Sequence, residues 1–292
     1  MIILQFFVFD QFVIEPLRVL TGLDQSLERV HFVLLILDVL IVTVLGYWLN
    51  DFYDQRIDAV NKPDRFLVKY EVKSSQFFSW VLSLLLIGAG ITLYLGFTVN
   101  KLQWVWLYPL IIALLWMYGL NGKQWGVVGN VLISACIAFI PLLIIIAEQS
   151  LISELRQVYP IVYDRLIKLL SLFTLLMLLL NISREIVKDI QDMSGDSLVR
   201  SKSIPLLAGA NRAKIITIAL LAFSASVQWC LFFFLDNSNI IFIYSTLVSL
   251  LLLIVAVSLV KSNDSRGFAR GSLALKALMI FGLFELMFIP IV

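Results

Sequence analysis

The sequence predicts an all-α polytopic membrane protein, and two observations lead to this fold class. Of the 292 residues, 61% are apolar and only 14% are charged, which gives a mean hydropathy of +0.96. These values lie far outside the usage of soluble globular domains. The apolar residues are also gathered into runs, most of which are long enough to cross a bilayer as a helix of about 20 residues. We therefore expect a single transmembrane domain that covers residues 1–292.

Nine apolar runs indicate about nine transmembrane helices joined by polar segments. The first run is short for a full span, and Asp10 interrupts it. A carboxylate inside an apolar run needs a partner or a protonated state, and Asp38 in the second run raises the same question. The runs are Met1–Ile14, Phe32–Asn50, Phe77–Val99, Trp104–Leu120, Val127–Ala147, Leu166–Arg184, Ile215–Leu235, Ile240–Val260 and Leu273–Val292.

The distribution of Lys and Arg among the connections predicts the topology. Connections after even-numbered runs carry 15 of these residues, whereas the opposite connections carry 5. Cytoplasmic loops are enriched in Lys and Arg, so the larger set marks the cytoplasmic side. We therefore expect an integral protein of the cell (inner) membrane whose chemistry takes place on the side that faces the cytoplasm.

Three carboxylates follow the second apolar run directly. Asp51, Asp54 and Asp58 are spaced i, i+3, i+7, so a helix that continued through them would carry all three on one face. Like charges stacked in this way repel, and the repulsion grows at the edge of a low-dielectric membrane. A single acid at this place would simply face water, but the cluster indicates a neutralising cation.

A second acidic cluster of the same character follows the sixth run. Its members are spaced i, i+4, i+7, i+11 and are Glu185, Asp189, Asp192 and Asp196. Two such clusters could meet across a shared cavity and hold hard divalent cations, which take oxygen ligands. A diphosphate substrate would supply the ligands that these cations still lack. The alternative is two unrelated helix ends whose acids are solvated.

The two acidic segments resemble the motifs of the UbiA superfamily of intramembrane prenyltransferases. The residues that carry the resemblance are Asn50-Asp-x-x-Asp-x-x-x-Asp58 with Asn61-x-Pro63-x-Arg65, and Arg184-Glu-Ile-Val-Lys-Asp189-Ile-Gln-Asp192-Met-Ser-Gly-Asp196. The second motif is most similar to the branch that includes geranylgeranylglyceryl phosphate geranylgeranyltransferases. Phe66 departs from the family, which usually has proline there. The Arg-Pro element that usually begins the first helix is also missing, so that helix is expected either to be truncated or to lack the element.

The resemblance implies nine helices around a central cavity that opens to the cytoplasmic side. It also implies a Mg²⁺-dependent enzyme that transfers a prenyl group from an isoprenyl diphosphate, first of all geranylgeranyl diphosphate, to a lipophilic acceptor. The acceptor expected for this branch is geranylgeranylglyceryl phosphate. Two Mg²⁺ ions are expected, and the residues implied as catalytic groups and metal ligands are Asp51, Asp54, Asp58, Asp192 and Asp196.

Other polar residues are implied as substrate contacts. The connection between the fourth and fifth runs resembles the family's pattern of Tyr, Lys and Gly-Asn, with Gln124 where Arg is common. Lys123 could hold a diphosphate oxygen as a point charge, or could simply anchor the helix end at the membrane surface. The implied substrate-binding residues are Asn50, Arg65, Tyr118, Lys123, Asn130, Arg184, Lys188, Asp189 and Lys202.

The second motif also suggests how the acceptor would be held. Arg184 or Lys188 could bind the phosphate of a glyceryl lipid, while Arg65 would lie beside the departing diphosphate with the same membrane-anchor alternative as Lys123. The roles of Glu185 and Asp189 stay open between metal ligand, acceptor contact and base.

Two other functions remain as alternatives. An aromatic acid or quinone precursor could be the acceptor, and intramembrane carboxylates also occur in cation-coupled transporters. The acids here cluster at helix ends rather than at mid-span, which favours the enzyme. A net charge of +2 without a basic tract argues against a nucleic-acid partner. Membrane lipids are expected around the helices, and no protein partner is predicted.

Overall fold

The computed structural model describes residues 1–23, 27–61, 74–99, 101–199, 201–235 and 238–292, and within these ranges the chain is helical with no β-strand. In chain order the α-helices are α1 (Ile2–Phe9), α2 (Glu15–Thr21), α3 (Arg29–Tyr53), α4 (Gln55–Asn61), α5 (Ser74–Thr98), α6 (Leu107–Trp125), α7 (Val127–Ala138), α8 (Leu142–Ala147), α9 (Gln149–Val158), α10 (Pro160–Gln191), α11 (Met193–Asp196), α12 (Ile204–Ala208), α13 (Ala210–Leu235), α14 (Asn239–Lys261) and α15 (Ser265–Leu283).

Seven helices of the described chain are long and apolar enough to cross a membrane. They are Arg29–Tyr53, Ser75–Thr98, Leu102–Trp125, Pro160–Gln191, Ala210–Leu235, Asn239–Lys261 and Ser265–Met287. This result confirms the prediction of an all-helical integral membrane protein.

Two of the nine expected spans are not single long apolar helices. A π-helical segment, Asp10–Ile14, follows α1, and the next turn in α2 carries Glu15 and Arg18. The fifth apolar run forms two helices rather than one: α7 ends at Ala138, and α8 begins after Pro141. The proline nitrogen carries no hydrogen and cannot donate a helical hydrogen bond. The count of nine therefore stays a prediction, whereas seven candidate spans are observed in the described residues.

The long helix α10 lies at the centre of the bundle. It packs against α7, α13 and α15, and its buried residues lie between Leu166 and Ile190. Its first turns carry exposed residues, among them Asp164 and Lys168. A smaller group forms where α3 packs against α5 and α6, with Ile41, Leu45 and Val81 in its core.

The acids inside the apolar runs have partners. Arg18 Nη1 lies 3.3 Å from Asp10 Oδ1, and Arg18 Nη2 lies 2.5 Å from Glu148 Oε1. Thr92 Oγ1 donates to Asp38 Oδ2 at 2.8 Å. Burying a carboxylate without such contacts is costly, so both acids have the partner that the sequence called for, while Asp38 Oδ1 is buried and accepts no hydrogen bond from a described residue.

Candidate active site

Both acidic segments lie at a corner where a membrane-length helix ends and a short helix begins. Asp54 separates α3 from α4, and Asp192 separates α10 from α11. Each has backbone angles outside the helical range, with φ −86° and ψ 7° at Asp54 and φ −97° and ψ 8° at Asp192. The acids of each set would share one face only if the helix continued through the set, and each helix instead breaks within its set.

The two corners lie next to each other, since α4 packs against α11. Lys123, near the end of α6, lies beside both corners, and we call the two corners together with Lys123 the acidic junction. Its Nζ lies 3.0 Å from Asp196 Oδ1, and it also interacts electrostatically with Asp54. One ammonium group therefore interacts with carboxylates of both acidic segments. The sequence analysis predicted that these two segments could meet.

Asp196 is the most deeply buried acid of the junction, with 0% of its side chain exposed. Its Oδ1 accepts the hydrogen bond from Lys123, whereas its Oδ2 is buried and accepts none from any residue that the structure describes. A buried oxygen of this kind retains the capacity to accept a proton donor or bind a cation.

A second polar contact joins α7 to α10. Asn130 Nδ2 donates to Asp189 Oδ2 at 2.8 Å, so the amide of the expected Gly-Asn pair holds an acid of the second motif. Tyr118 lies one helical turn before Gly122 on α6, and the Glu185 and Asp189 charges both act on its hydroxyl group. These expected substrate contacts therefore surround the α10 end of the junction.

Arg184 and Lys188 flank one carboxylate. Arg184 Nη1 lies 2.7 Å from Glu185 Oε1, and Lys188 Nζ lies 2.8 Å from Glu185 Oε2. Glu185 is buried, while Arg184 is 21% and Lys188 is 39% exposed. The arrangement is a pair of cations held together at a partly open surface.

The remaining predicted site residues differ in their burial and in their contacts with the acidic junction. Asn50 Nδ2 donates to Asp54 Oδ2 at 2.9 Å, and Asp58 is buried on α4. Asp51, like Asp192, is partly buried. The side chain of Lys202 is exposed, and its backbone N–H donates instead to the Lys123 carbonyl oxygen at 2.9 Å. Arg65 lies outside the described residues, so its predicted role is untested.

The Lys123 and Lys202 backbones approach closely at a glycine. Gly126 has φ +54°, a left-handed conformation that favours glycine, and its α-carbon faces the Lys202 carbonyl group. The segment before α12 is therefore joined to the end of α6, which carries the ammonium group.

Two residues that the sequence analysis left without a role belong to this site. Glu185 pairs with both Arg184 and Lys188, which leaves one net positive charge, and Asn61 bonds to the backbone of the second corner. The signal for Asn61 was its position one turn after Asp58 and within the quoted motif. The signal for Glu185 was its place between two basic residues of one helix turn.

The donor set of the junction suits a hard divalent cation. Carboxylate oxygens from two corners interact, and Asp196 Oδ2 has no hydrogen-bond donor among the described residues. Within the described ranges, no three acid, histidine or cysteine side chains lie close enough together to enclose a metal ion. The oxygen donors are of the type that Mg²⁺ prefers, but the described side chains are not arranged to enclose the ion, so the metal ligands stay a prediction.

Burial dominates the electrostatics of Asp54. It raises the pKa of this carboxyl group above its usual value of 3.8, and the Lys123 ammonium only partly offsets the effect. The neighbouring acids Asp58 and Asp196 raise the pKa further, while the hydrogen bond from Asn50 lowers it. Ionised Asp54 is therefore a cost to the folded protein that a bound cation would relieve.

The raised pKa predicts that Asp54→Asn stabilises the protein against unfolding at neutral pH. The folded state binds the Asp54 proton more tightly than the unfolded state does, so wild-type stability falls as the pH rises above 3.8 toward the folded pKa. The Asn variant avoids this loss. Thermal unfolding in detergent from about pH 3 to about pH 7 should show a gain that is full above the folded pKa and vanishes below the unfolded pKa. A variant less stable than wild type at neutral pH would contradict this account.

Comparison with known proteins agrees with the geometry. The sequence profile of the UbiA prenyltransferase family matches residues 20–279. The digeranylgeranylglyceryl phosphate synthase of Sulfurisphaera tokodaii is 30% identical over 268 residues, which cover 88% of this chain and 86% of the relative.

Two solved structures share the fold. One is of a digeranylgeranylglyceryl phosphate synthase, with a TM-score of 0.61 and 21% identity over 98% of this chain and 90% of the other. The second is the apo structure of a UbiA homologue from Aeropyrum pernix K1, with a TM-score of 0.66 and 17% identity over 96% of this chain and 95% of the other. From the two acidic corners, the seven candidate spans and these matches, we conclude that the chain is a membrane-embedded prenyltransferase and belongs to the UbiA prenyltransferase family.

Proposed function

We propose that this enzyme transfers a geranylgeranyl group from geranylgeranyl diphosphate to the free hydroxyl group of geranylgeranylglyceryl phosphate, with release of diphosphate. The observation that carries the proposal is the pairing of two sites on neighbouring elements. One is the acidic junction around Lys123, and the other is the cation pair of Arg184 and Lys188. The digeranylgeranylglyceryl phosphate synthases among the relatives support this acceptor.

The acidic junction is proposed to hold the donor's diphosphate. Asp51, Asp54 and Asp58 would bind one Mg²⁺ ion, and Asp192 with Asp196 would bind the other. Bound Mg²⁺ would supply positive charge to the diphosphate as its C–O bond breaks. The Lys123 ammonium, already beside the buried Asp196, would donate to a diphosphate oxygen as a further counter-charge.

The reaction exchanges one C–O bond for another. The bond between the allylic carbon and the diphosphate oxygen breaks, the acceptor hydroxyl oxygen forms a new bond to that carbon, and the hydroxyl proton passes to the released diphosphate. An allylic cation reacts with water, so the site must keep water out while the charge develops. The apolar helices that end at the two corners, α3 and α10, support this exclusion because both are long enough to lie within the membrane.

The cation pair is proposed to bind the acceptor's phosphate. Arg184 and Lys188 both point at Glu185 and are both partly exposed, so an incoming phosphate can reach them. A phosphate monoester can bond to several such donors at once. An aromatic acid would offer the pair a carboxylate with a single negative charge and two oxygens, and so fewer bonds than a phosphate monoester offers.

We further propose that both sites face the cytoplasm, that the protein resides in the cell (inner) membrane and that nine segments surround a central cavity. Support comes from the excess of Lys and Arg in the connections that carry the acidic segments. Segments α1–α2 and α7–α8 would be the two crossings beyond the seven candidate spans.

Activity of the purified protein with competing acceptors tests the proposal. Labelled geranylgeranyl diphosphate and Mg²⁺ would be offered with geranylgeranylglyceryl phosphate, a hydroxybenzoate and a dihydroxynaphthoate. We expect labelled product with the glyceryl phosphate alone. If product forms only with an aromatic acid, the proposed diphosphate site would stand, but the assignment of geranylgeranylglyceryl phosphate as the acceptor would be wrong.

Single substitutions of the cation pair should then separate the two substrates. In Arg184→Gln and Lys188→Gln, the KM for the glyceryl phosphate should rise by about 10- to 100-fold, the value of one hydrogen bond between charged groups. The KM for the donor should change by less than about twofold. Lys168→Gln is the matched control, because Lys168 forms an exposed ion pair with Asp164 at the other end of the same helix. Equal effects on both KM values would remove these residues from acceptor binding.

A further inference from the structure

Asn61, the last residue of α4, joins the two acidic corners through its side chain. Its Nδ2 donates to the Asp192 carbonyl oxygen at 3.0 Å, and its Oδ1 accepts from the Gly195 N–H at 2.8 Å. The partners are 131 and 134 positions away in sequence. One amide group therefore satisfies an acceptor and a donor of the second corner at once.

The close approach of Asn61 depends on glycine at position 195. A β-carbon added to Gly195 would lie 2.6 Å from Asn61 Nδ2 and 2.7 Å from Asn61 Oδ1. These distances are far shorter than van der Waals contact, so a larger residue would displace the amide. Asn61 and Gly195 therefore form one fitted contact, which we name the amide clamp.

The amide clamp lies between carboxylates of both segments. Asp58 precedes Asn61 by one helical turn, Asp192 supplies the carbonyl group, and Asp196 follows Gly195. Asp58 and Asp196 are both buried, and carboxylates of like charge repel more strongly where water is excluded. A neutral amide bonded to backbone groups can hold the corners together against this repulsion without adding charge.

We propose that Asn61 is a positioning residue, which fixes the spacing of the two carboxylate sets and so sets their joint affinity for a divalent cation with diphosphate. This inference rests on the proposed function because it assigns the two sets to one metal and diphosphate site. Asn61 itself touches neither substrate in this account. An aspartate at position 61 could accept from Gly195 but could not donate to Asp192, so both functions of the amide are required.

The test uses Asn61→Ala, Asn61→Asp, Gly195→Ala and the double variant Asn61→Ala with Gly195→Ala. Asn263→Ala is the control, because the Asn263 side chain lies in another connection and accepts a hydrogen bond from Lys214. Two readouts are needed. The first is the Mg²⁺ concentration that gives half-maximal prenyl transfer, and the second is the rise in thermal unfolding temperature produced by Mg²⁺ with inorganic diphosphate.

Each single variant at positions 61 and 195 should need about 10-fold more Mg²⁺, the equivalent of two hydrogen bonds of ordinary net strength. Each should also lose most of the thermal stabilisation by Mg²⁺ and diphosphate, while Asn263→Ala keeps both. The double variant should be no worse than the poorer single variant, because both changes break the same contact.

Two results would overturn the amide clamp. One is lower stability of the variants with an unchanged Mg²⁺ requirement and unchanged stabilisation by Mg²⁺ and diphosphate, which would make Asn61 merely structural. The other is a wild-type protein that Mg²⁺ and diphosphate do not stabilise. A wild type that is stabilised but forms no product with the glyceryl phosphate would instead refute the proposed function and leave the clamp standing.

Discussion

Asp196→Ala should lower kcat by about 100- to 1000-fold, the usual effect of removing one group that stabilises charge in a transition state. Asp196 is fully buried and accepts the direct hydrogen bond from Lys123. Its second oxygen is a buried acceptor that no described residue satisfies. Asp54→Ala and Asp192→Ala should have effects of the same order, because the proposed diphosphate site needs both corners.

The measurement is steady-state prenyl transfer by variants whose folding is verified by gel filtration and thermal unfolding. Asp164→Ala is the matched control, since Asp164 lies on the same helix as Asp192's corner and is 61% exposed. It should retain wild-type kcat. Normal activity in folded Asp54→Ala and Asp192→Ala would disprove the assignment of the acidic corners to catalysis.

Lys123→Met should cost the protein both activity and stability. The substitution removes the ammonium that pairs with Asp196 and leaves a fully buried carboxylate without its counter-charge. Breaking a buried pair in this way costs about 3–5 kcal/mol. Lys123 is 31% exposed, so screening by solvent should reduce the loss to about 2 kcal/mol.

A second substitution separates charge from packing. In Lys123→Met with Asp196→Asn, the buried charge is gone, so most of the lost unfolding temperature should return while the activity stays lost. Lys101→Met is the control, because the Lys101 ammonium binds only the exposed amide Gln149 among its described hydrogen-bond partners. Failure of the double variant to regain stability would show that the Lys123 side chain acts through packing rather than through charge.

The sequence predicted the features that follow from local pattern. Runs of apolar residues predicted most of the candidate spans. The spacing of acids at the ends of two runs predicted that the two acidic segments could meet, and the packing of α4 against α11 supports this prediction. The spacing of the acids showed only that they would share a face if each helix continued. It did not predict the breaks at Asp54 and Asp192, because such a break depends on tertiary packing of the next short helix. Pro141 was the local signal for the break between α7 and α8, and the hydropathy of the surrounding run concealed it.

Contacts between distant residues were beyond reach of the sequence. The Arg18–Glu148 ion pair joins residues 130 positions apart, and the pairing of Lys123 with Asp196 joins residues 73 apart. A charged side chain in or beside an apolar run indicates that a partner is needed, but the sequence does not identify that partner. Lys123 was assigned to a diphosphate or to the membrane surface, and the structure adds that it neutralises the acids of both corners.

The account depends most on the claim that the two acidic corners form one site for a divalent cation and a diphosphate. Calorimetric binding of an unreactive thio analogue of geranylgeranyl diphosphate to the purified protein tests it, with Mg²⁺ and with a chelator. Binding should require Mg²⁺ in the wild type and should be lost in Asp54→Asn and in Asp196→Asn alike. Equal binding with the chelator, or normal Mg²⁺-dependent binding in either variant, would contradict the shared site.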